Sequence, residues 1–273
     1  MGAKRALIKY GGNAMLNDTL KIEIARKIKK LTESGYQVIL VHGGGPFINS
    51  SLEEANIQSQ FIDGHRVTTK EALRFIERTL KGEVNSDLVK HLNNAGLNSV
   101  GLSGKDGQCI IAEKRMHKDS TGNSVDLGSV GNVKKVNTKL PELLLENAYT
   151  PVMTCIAADE NFDDFNINAD MFAGHLAGAL KVDYYIVLTD VDGLLKDINR
   201  PESILHQISV NQIPELKNEV IKGGMIPKVE SCEIALANGA KTAVILNGTK
   251  PESIEDYLIK GKNTGTTITA KNI

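Results

Sequence analysis

The chain has no tryptophan, and aromatic side chains make up only 4% of it. Its core must therefore be built from Ile, Leu, Val and Ala. Cysteine is scarce as well. Cys109, Cys155 and Cys232 lie far apart, cannot all pair, and lack the C-x-x-C spacing of a zinc or redox site. Three buried, reduced thiols are expected, as in a reducing cytosol. No apolar run approaches the roughly 18 residues that a membrane span needs. The N-terminus reaches the polar turn Gly11-Gly12 too soon for a signal peptide, and Ala6 stands where a myristoylation motif needs Ser or Thr. Neither sign of charge dominates, with 32 Lys+Arg against 33 Asp+Glu and a formal net charge of -1. Such a balance gives no general attraction for nucleic acid or an acidic membrane, so any bound anion must be held by a local arrangement of charges. Internal repeats and low-complexity linkers are also absent.

What is present is a rhythm of short apolar strands and amphipathic helices. Residues 6–10 read as a strand ending at Gly11-Gly12. Asp18 is placed to cap a helix carrying Leu20, Ile24, Ile28 and Leu31, with Gly35 just beyond it. Residues 38–41 form a continuous apolar run, as in a strand covered on both faces, and a helix follows Pro46 to about residue 55. Two helices are expected between residues 70 and 95, then a strand at 99–102. Residues 105–136, rich in Gly, Asn and Ser, read as a β-hairpin excursion. The alternation then resumes: helix 139–147, strand 151–156, Ala-rich helix 169–180, strand 184–188, helix 226–238, strand 242–246. The pattern implies parallel β-α-β units in an α/β three-layer sandwich with a mainly parallel central sheet. At roughly 150 residues per domain, the 273 residues make one large domain or two lobes. A soft division is expected near residue 180.

Several familiar motifs fail. Around Gly104-Lys105 a Walker loop would need Ser or Thr where Asp106 stands and Gly where Ser99 stands. Gly43-Gly44-Gly45 is followed by Ile48 at the sixth position, so it is not the dinucleotide fingerprint. Asp190-Val191-Asp192-Gly193 begins like a calcium loop, but Leu194 and Pro201 occupy ligand positions. The histidines show no metal spacing, and no G-x-S-x-G elbow exists.

What holds is a set of glycine turns at strand ends, each near a charge or an amide. Lys9, at the end of the first strand, is separated from Gly11-Gly12 only by Tyr10; alone, it reads as a solvated charge. Gly43, Gly44 and Gly45 leave backbone N–H groups uncovered at a helix start, which favours an anion. Arg66 offers a guanidinium fork suited to a carboxylate, or to a plain surface ion pair. In Asn166-Ile167-Asn168-Ala169-Asp170, Asn168 fits an N-cap, and Asp170 in the first turn suits the helix dipole. In Gly223-Gly224-Met225-Ile226-Pro227-Lys228, a lysine at the start of a helix opposes the dipole, which points to another use.

Together and in this order, these segments resemble the amino acid kinase family. The resemblance rests on Ile8 to Met15, Val41 to Pro46, Gly64 to Thr68, Asp126 to Gly131, Asn166 to Asp170, Thr189 to Gly193 and Gly223 to Lys228, spread over nearly the whole chain. The Arg66, Asp126 and Asn166 segments are similar to the acetylglutamate kinase branch. The resemblance implies the amino acid kinase fold in two lobes: residues 1–180 for acetylglutamate binding and dimerisation, and residues 181–273 for ATP. It implies transfer of the ATP γ-phosphoryl group to the side-chain carboxylate of N-acetyl-L-glutamate, a cytoplasmic step of arginine biosynthesis. Lys9 and Lys228 would grip the transferring phosphoryl and Asp170 would hold both ammonium groups. Gly44, Gly45, Arg66 and Asn166 would bind the substrate. Gly11, Gly12, Asp190, Val191, Asp192, Gly193, Leu194, Leu195, Val220, Ile221 and Lys222 would form the nucleotide pocket. Mg²⁺ would ride on the ATP phosphates with few protein ligands, and no resident metal site is implied. Arginine-inhibited relatives carry an extra N-terminal helix that builds hexamers. Few residues precede the first strand here, so a homodimer without that feedback is expected. The alternatives are a sister kinase for another carboxylate or carbamate, a nucleotide-binding regulator that has lost catalysis, and a structural α/β subunit. Retention of Lys9, Asp170 and Lys228 speaks against the regulator, and a structural subunit would have no use for five glycine turns beside charged residues.

Overall fold

The computed structural model describes residues 2–62, 65–118 and 122–270. Gly64 of the Arg66 segment lies outside them. In chain order the elements begin β1 (Lys4–Tyr10), α1 (Asp18–Glu33), β2 (Tyr36–His42), α2 (Gly45–Glu54), β3 (Gln60–Ile62), β4 (His65–Val67), α3 (Lys70–Glu77) and α4 (Asn85–Asn94). They continue β5 (Ser99–Ser103), β6 (Ile110–Lys118), β7 (Ser124–Val136), α5 (Lys139–Glu146), β8 (Thr150–Thr154), β9 (Ile156–Ala158), β10 (Asp164–Ile167) and α6 (Ala169–Ala179). The last are β11 (Tyr184–Thr189), β12 (Gln207–Ser209), α7 (Ile213–Glu219), α8 (Met225–Ala237), β13 (Thr242–Asn247), α9 (Glu252–Leu258) and β14 (Thr266–Thr269).

Eight strands form one sheet in the order β12-β14-β13-β11-β1-β2-β8-β5. Every pairing in it is parallel except β13 with β14. The side-chain period of two sorts each central strand between two cores. Leu7, Ile39, Val41, Tyr185, Val187 and Ile245 enter one apolar cluster. Ile8, Tyr10, Val38, Leu40, Ile186 and Leu246 enter the other. Helices cover both faces, giving the three layers that the continuous apolar strands imply. All three cysteines are free and buried.

Four details differ from the sequence expectation. Asn17, not Asp18, caps α1, accepting from Leu20 N at 3.1 Å. Asp18 instead pairs with Lys21 at 2.8 Å. Lys21 also pairs with Asp87 at 2.6 Å, so an ammonium sits among Asp18, Asp87 and His91, the one gathering of metal-ligand types among the described residues. Between α3 and α4 the helix does not break but passes through a π-helical stretch, Arg78–Val84, whose wider turn disturbs the 3.6-residue period. The strand expected at 151–156 splits at Cys155 into β8 and β9. The hairpin excursion is present as β6 and β7, and β9 and β10 close it into a small barrel.

The C-terminal helix is fastened by charge. Glu255 of α9 lies 3.0 Å from Lys27 and 2.7 Å from Lys30 of α1, and 3.1 Å from Lys260. Lys30 foremost, then Lys27 and Lys260, hold its carboxyl down at about 2. A depressed carboxyl stabilises fully above its unfolded value, near 4.5, and that contribution fades as pH falls toward 2. Glu255→Gln should therefore melt below wild type at pH 7, with the gap narrowing between about pH 4.5 and 2. Thermal melts across that range check it; a constant gap refutes it.

Candidate active site

The carboxyl ends of β1, β2, β8 and β11 open on one edge of the sheet, where α/β folds place their ligands. Lys9 stands in register with Val41 and Val187. Because Leu7 faces the core beneath α6 and α8, alternation sends the Lys9 side chain out on that same face. Asp170 comes to meet it from the first turn of α6, and Lys228 from the start of α8. The two helices cross closely because α6 is small there. A Cβ on Gly174 would lie 2.5 Å from the Ser231 carbonyl, and one on Gly178 would lie 3.1 Å from that of Ala235.

The result is a buried charge triad. Lys9 Nζ lies 2.9 Å from Asp170 Oδ1, as an ion pair set off the hydrogen-bonding direction, and Lys228 Nζ donates to Oδ2 at 3.4 Å. Lys9 and Asp170 are each only 5% exposed. Burial pushes the Asp170 carboxyl up, but Lys9 and Lys228 together outweigh it and hold the group below the usual carboxylate range. Burial, then the Lys9 charge, pulls the Lys228 ammonium down. Two cations share one anion, so the triad carries a net positive charge into the cavity beside it.

That cavity is about 340 Å³. Lys9, Gly11, Gly12, Gly44, Gly45, Arg66, Asn166 and Asp170 all line it, so most of the substrate-side residues singled out in the sequence converge here. Gly12 sits at φ +80°, a left-handed conformation suited to glycine, with Asp190 pressed against it: a Cβ would meet the carboxylate at 2.8 Å. Arg66, on the β3–β4 hairpin, donates to Ser59 at 2.7 Å and to Asn49, and lies 4.6 Å from the Phe61 ring. Asn166 lies in β10 between Val130 and Ile156. Asn168 is the N-cap of α6, accepting from Asp170 N and Met171 N at 2.9 and 3.2 Å. Asp170 does more than answer the dipole, since both its oxygens face lysines.

The remaining nucleotide-side residues do not line this cavity. Asp190 to Leu195 leave the end of β11. Asp192 accepts from Asn247 and from Lys250, each at 2.8 Å. Leu194 and Ile221 are buried, and Leu194 N donates to Thr266. Val220 and Lys222 belong to the α7–α8 connection.

Sequence reasoning missed Arg115 of β6, Phe61 and Cys155, which also line the cavity. A lone Arg in a basic strand carries no motif, and only the barrel's closure turns it inward. Burial pushes the Cys155 thiol up to about 12, so it is protonated and a poor nucleophile.

A mainly parallel sheet with a lysine at one strand end, and a second lysine from a helix start, meeting across one aspartate beside a cavity defines the class. The chain belongs to the amino acid kinase family, whose profile matches residues 4–247. It is 41% identical over 268 residues to an acetylglutamate kinase of Methanocaldococcus jannaschii, covering 96% of this chain and 89% of that one. It is 40% identical over 271 residues to an acetylglutamate kinase of Gloeobacter violaceus, covering 99% and 88%. The structure of smu.665 from Streptococcus mutans UA159 is similar, with TM-score 0.79, 31% identity, and 98% and 99% of the two chains covered. The Giardia lamblia carbamate kinase bound to AMP-PNP shares the fold, with TM-score 0.70 at 20% identity, covering 98% and 99%. Among the described residues no helix is long and apolar enough to cross a membrane.

Proposed function

We infer that this chain transfers the γ-phosphoryl group of ATP to the side-chain carboxylate of N-acetyl-L-glutamate, giving an acyl phosphate on the route to arginine. The observation that carries the reading is Lys9 and Lys228 meeting across Asp170, with Lys9 and Asp170 lining the cavity. A carboxylate acceptor is already ionised at pH 7 and needs no general base. The task reduces to bringing two anions together, by alignment and charge neutralisation. Lys9 and Lys228 neutralise the transferring phosphoryl, Asp170 fixes both, and the N–H groups of Gly11, Gly12, Gly44 and Gly45 receive phosphate and carboxylate oxygens. Lys9 and Arg66 bring positive charge to a lining whose one acid among the described residues is Asp170, as suits an anionic substrate. Arg66 takes the α-carboxylate and Asn166 the acetamido end. Residues Asp190 to Leu195 and Val220 to Lys222 shape the nucleotide pocket.

Asp170 is the one acid among the described lining residues, and both its oxygens face lysines. Such a donor set offers Mg²⁺ little, so the ion stays on the ATP phosphates it accompanies and adds its charge to theirs. Residues 1–180 serve as the acetylglutamate-binding and dimerising lobe and residues 181–273 as the ATP lobe, of a cytoplasmic enzyme. The expected assembly is a homodimer; sedimentation equilibrium at the mass of six chains would overturn it.

The test is a coupled ATPase assay with a panel of acids. Activity on N-acetyl-L-glutamate in preference to aspartate, glutamate and carbamate supports the reading. Activity on another acid moves the chain to a sister kinase, and nucleotide binding without turnover makes it a regulator. Arg66→Lys loses the bidentate fork and should raise KM for acetylglutamate by roughly tenfold, since one charged hydrogen bond is worth about 1.5–3 kcal/mol. Steady-state kinetics check this, and an unchanged KM removes Arg66 from the substrate site.

A further inference from the structure

His42 ends β2, is fully buried, and lines no part of the cavity. Its ring is fixed by a chain of hydrogen bonds. Asn85, the first residue of α4, places its side-chain nitrogen 2.9 Å from the Val152 carbonyl, which can only accept. That contact settles the orientation of the amide. The same nitrogen lies 2.9 Å from His42 Nε2, so Nε2 must accept and the ring proton must sit on Nδ1. Nδ1–H then donates to the Gly43 carbonyl at 2.8 Å.

The Gly43–Gly44 peptide is trans, so its carbonyl and the Gly44 N–H point in opposite directions. With the carbonyl drawn toward the buried ring, the N–H is turned away from it, on the side of the cavity that Gly44 lines. Neighbouring groups of the loop are already engaged: Gly43 N donates to Tyr10 O at 3.2 Å, and Gly44 O accepts from Ile48 N at 2.9 Å. Among the described residues no backbone acceptor takes the Gly44 or Gly45 N–H. The π-helical stretch packs against the same turn. It brings Leu80 over Gly44, where a Cβ would meet it at 2.6 Å, and it ends at Val84, directly before Asn85. Gly101 of β5 leaves the room that the Asn85 amide fills.

We propose that Asn85 and His42 are positioning residues: they set the Gly43–Gly44 peptide so that the Gly44 N–H faces the anion in the cavity. The proposal rests on the kinase reading above. It gives the π-helical stretch a purpose, since it sets Leu80 against the glycine turn and leads directly into Asn85. Burial pushes the His42 ring down to about 4, with Lys81 acting in the same sense. The ring therefore stays neutral at physiological pH and keeps its tautomer.

Nitrogen-15 NMR of the wild-type histidines should show His42 as the Nδ1–H tautomer, unchanged between pH 6 and 8. An Nε2–H tautomer overturns the proposal. In kinetics, His42→Leu and Asn85→Leu should each lower kcat by on the order of 10²-fold, the scale of one lost transition-state donor, with KM for ATP moving less than about threefold. His42→Asn, whose amide N–H can take the place of Nδ1–H, should recover at least about tenfold over His42→Leu. A folded His42→Leu protein with turnover within about threefold of wild type overturns the proposal, as does His42→Asn no better than His42→Leu. Should His42→Leu not fold, Asn85→Leu and the tautomer decide. Wild-type protein inert toward every acid in the panel sinks the kinase reading instead, a result the tautomer measurement does not share.

Discussion

Lys9→Ala and Lys228→Ala each fold and lose on the order of 10²–10³ in turnover, with little change in ATP affinity; this is the expected result of removing either ammonium. The reason lies in what each lysine neutralises. Negative charge on the transferring phosphoryl spreads over its oxygens as the bond to ADP loosens, so a cation on each side matters most at the transition state. In the free protein both lysines already have a partner in Asp170, 2.9 and 3.4 Å away, so their geometry is set before substrate arrives. Losing one cation leaves Asp170 paired with the other and relieves the repulsion between them. Stability should hardly fall, and the loss should appear in kcat. Steady-state kinetics with a thermal melt on each variant test this; near-wild-type turnover in both discards the mechanism.

Asp170→Ala should behave differently. It leaves the buried Lys9 and the part-buried Lys228 ammonium groups side by side with no counter-charge. Breaking a buried ion pair from one side costs about 3–5 kcal/mol, because the desolvated charge remains. For a chain of this size that lowers the melting midpoint by roughly 10 °C. Turnover should also collapse, as the lysines no longer hold their positions. The two predictions together give a signature: removing either cation disables without destabilising, and removing the anion does both. An Asp170→Ala protein that melts with wild type would mean that the lysines are held by something else. Added phosphate should narrow the gap in melting temperature, since an anion in the cavity supplies the missing charge.

Much of this was legible in the sequence because it depends on local spacing. The short apolar stretch 6–10 and the continuous apolar run 38–41 mark strands, the second as one covered on both faces, and the structure places them in the centre of the sheet. Glycines at strand ends mark the turns that surround the cavity. What was not legible depends on closure over long distances. Asp164–Ile167 is too short and too polar to announce a strand, and it becomes one only by pairing with β7 and β9. That pairing brings Asn166 to the cavity wall. Arg115 carries no local signal for the same reason. The π-helical stretch defeats a search for 3.6-residue periodicity, so one continuous helical run reads as two helices. His42 looked like the edge of a glycine motif. Its hydrogen-bond chain runs through Asn85 on another helix, and no spacing along the chain encodes that.

The position of β1 also governs how the molecule is made. Of the sheet's described strands, the first to leave the ribosome lies in the middle, between β2 and β11. Its link to the far side, from Arg5 N to Asp183 at 2.7 Å, joins residues 178 positions apart. At ordinary rates of synthesis, roughly 10 to 35 seconds pass between the two ends of that contact. Throughout that interval the nascent chain carries an apolar strand with one flank unpaired, a template for aggregation. Chaperone binding to ribosome-bound chains should therefore persist until β11 has emerged, and then fall away.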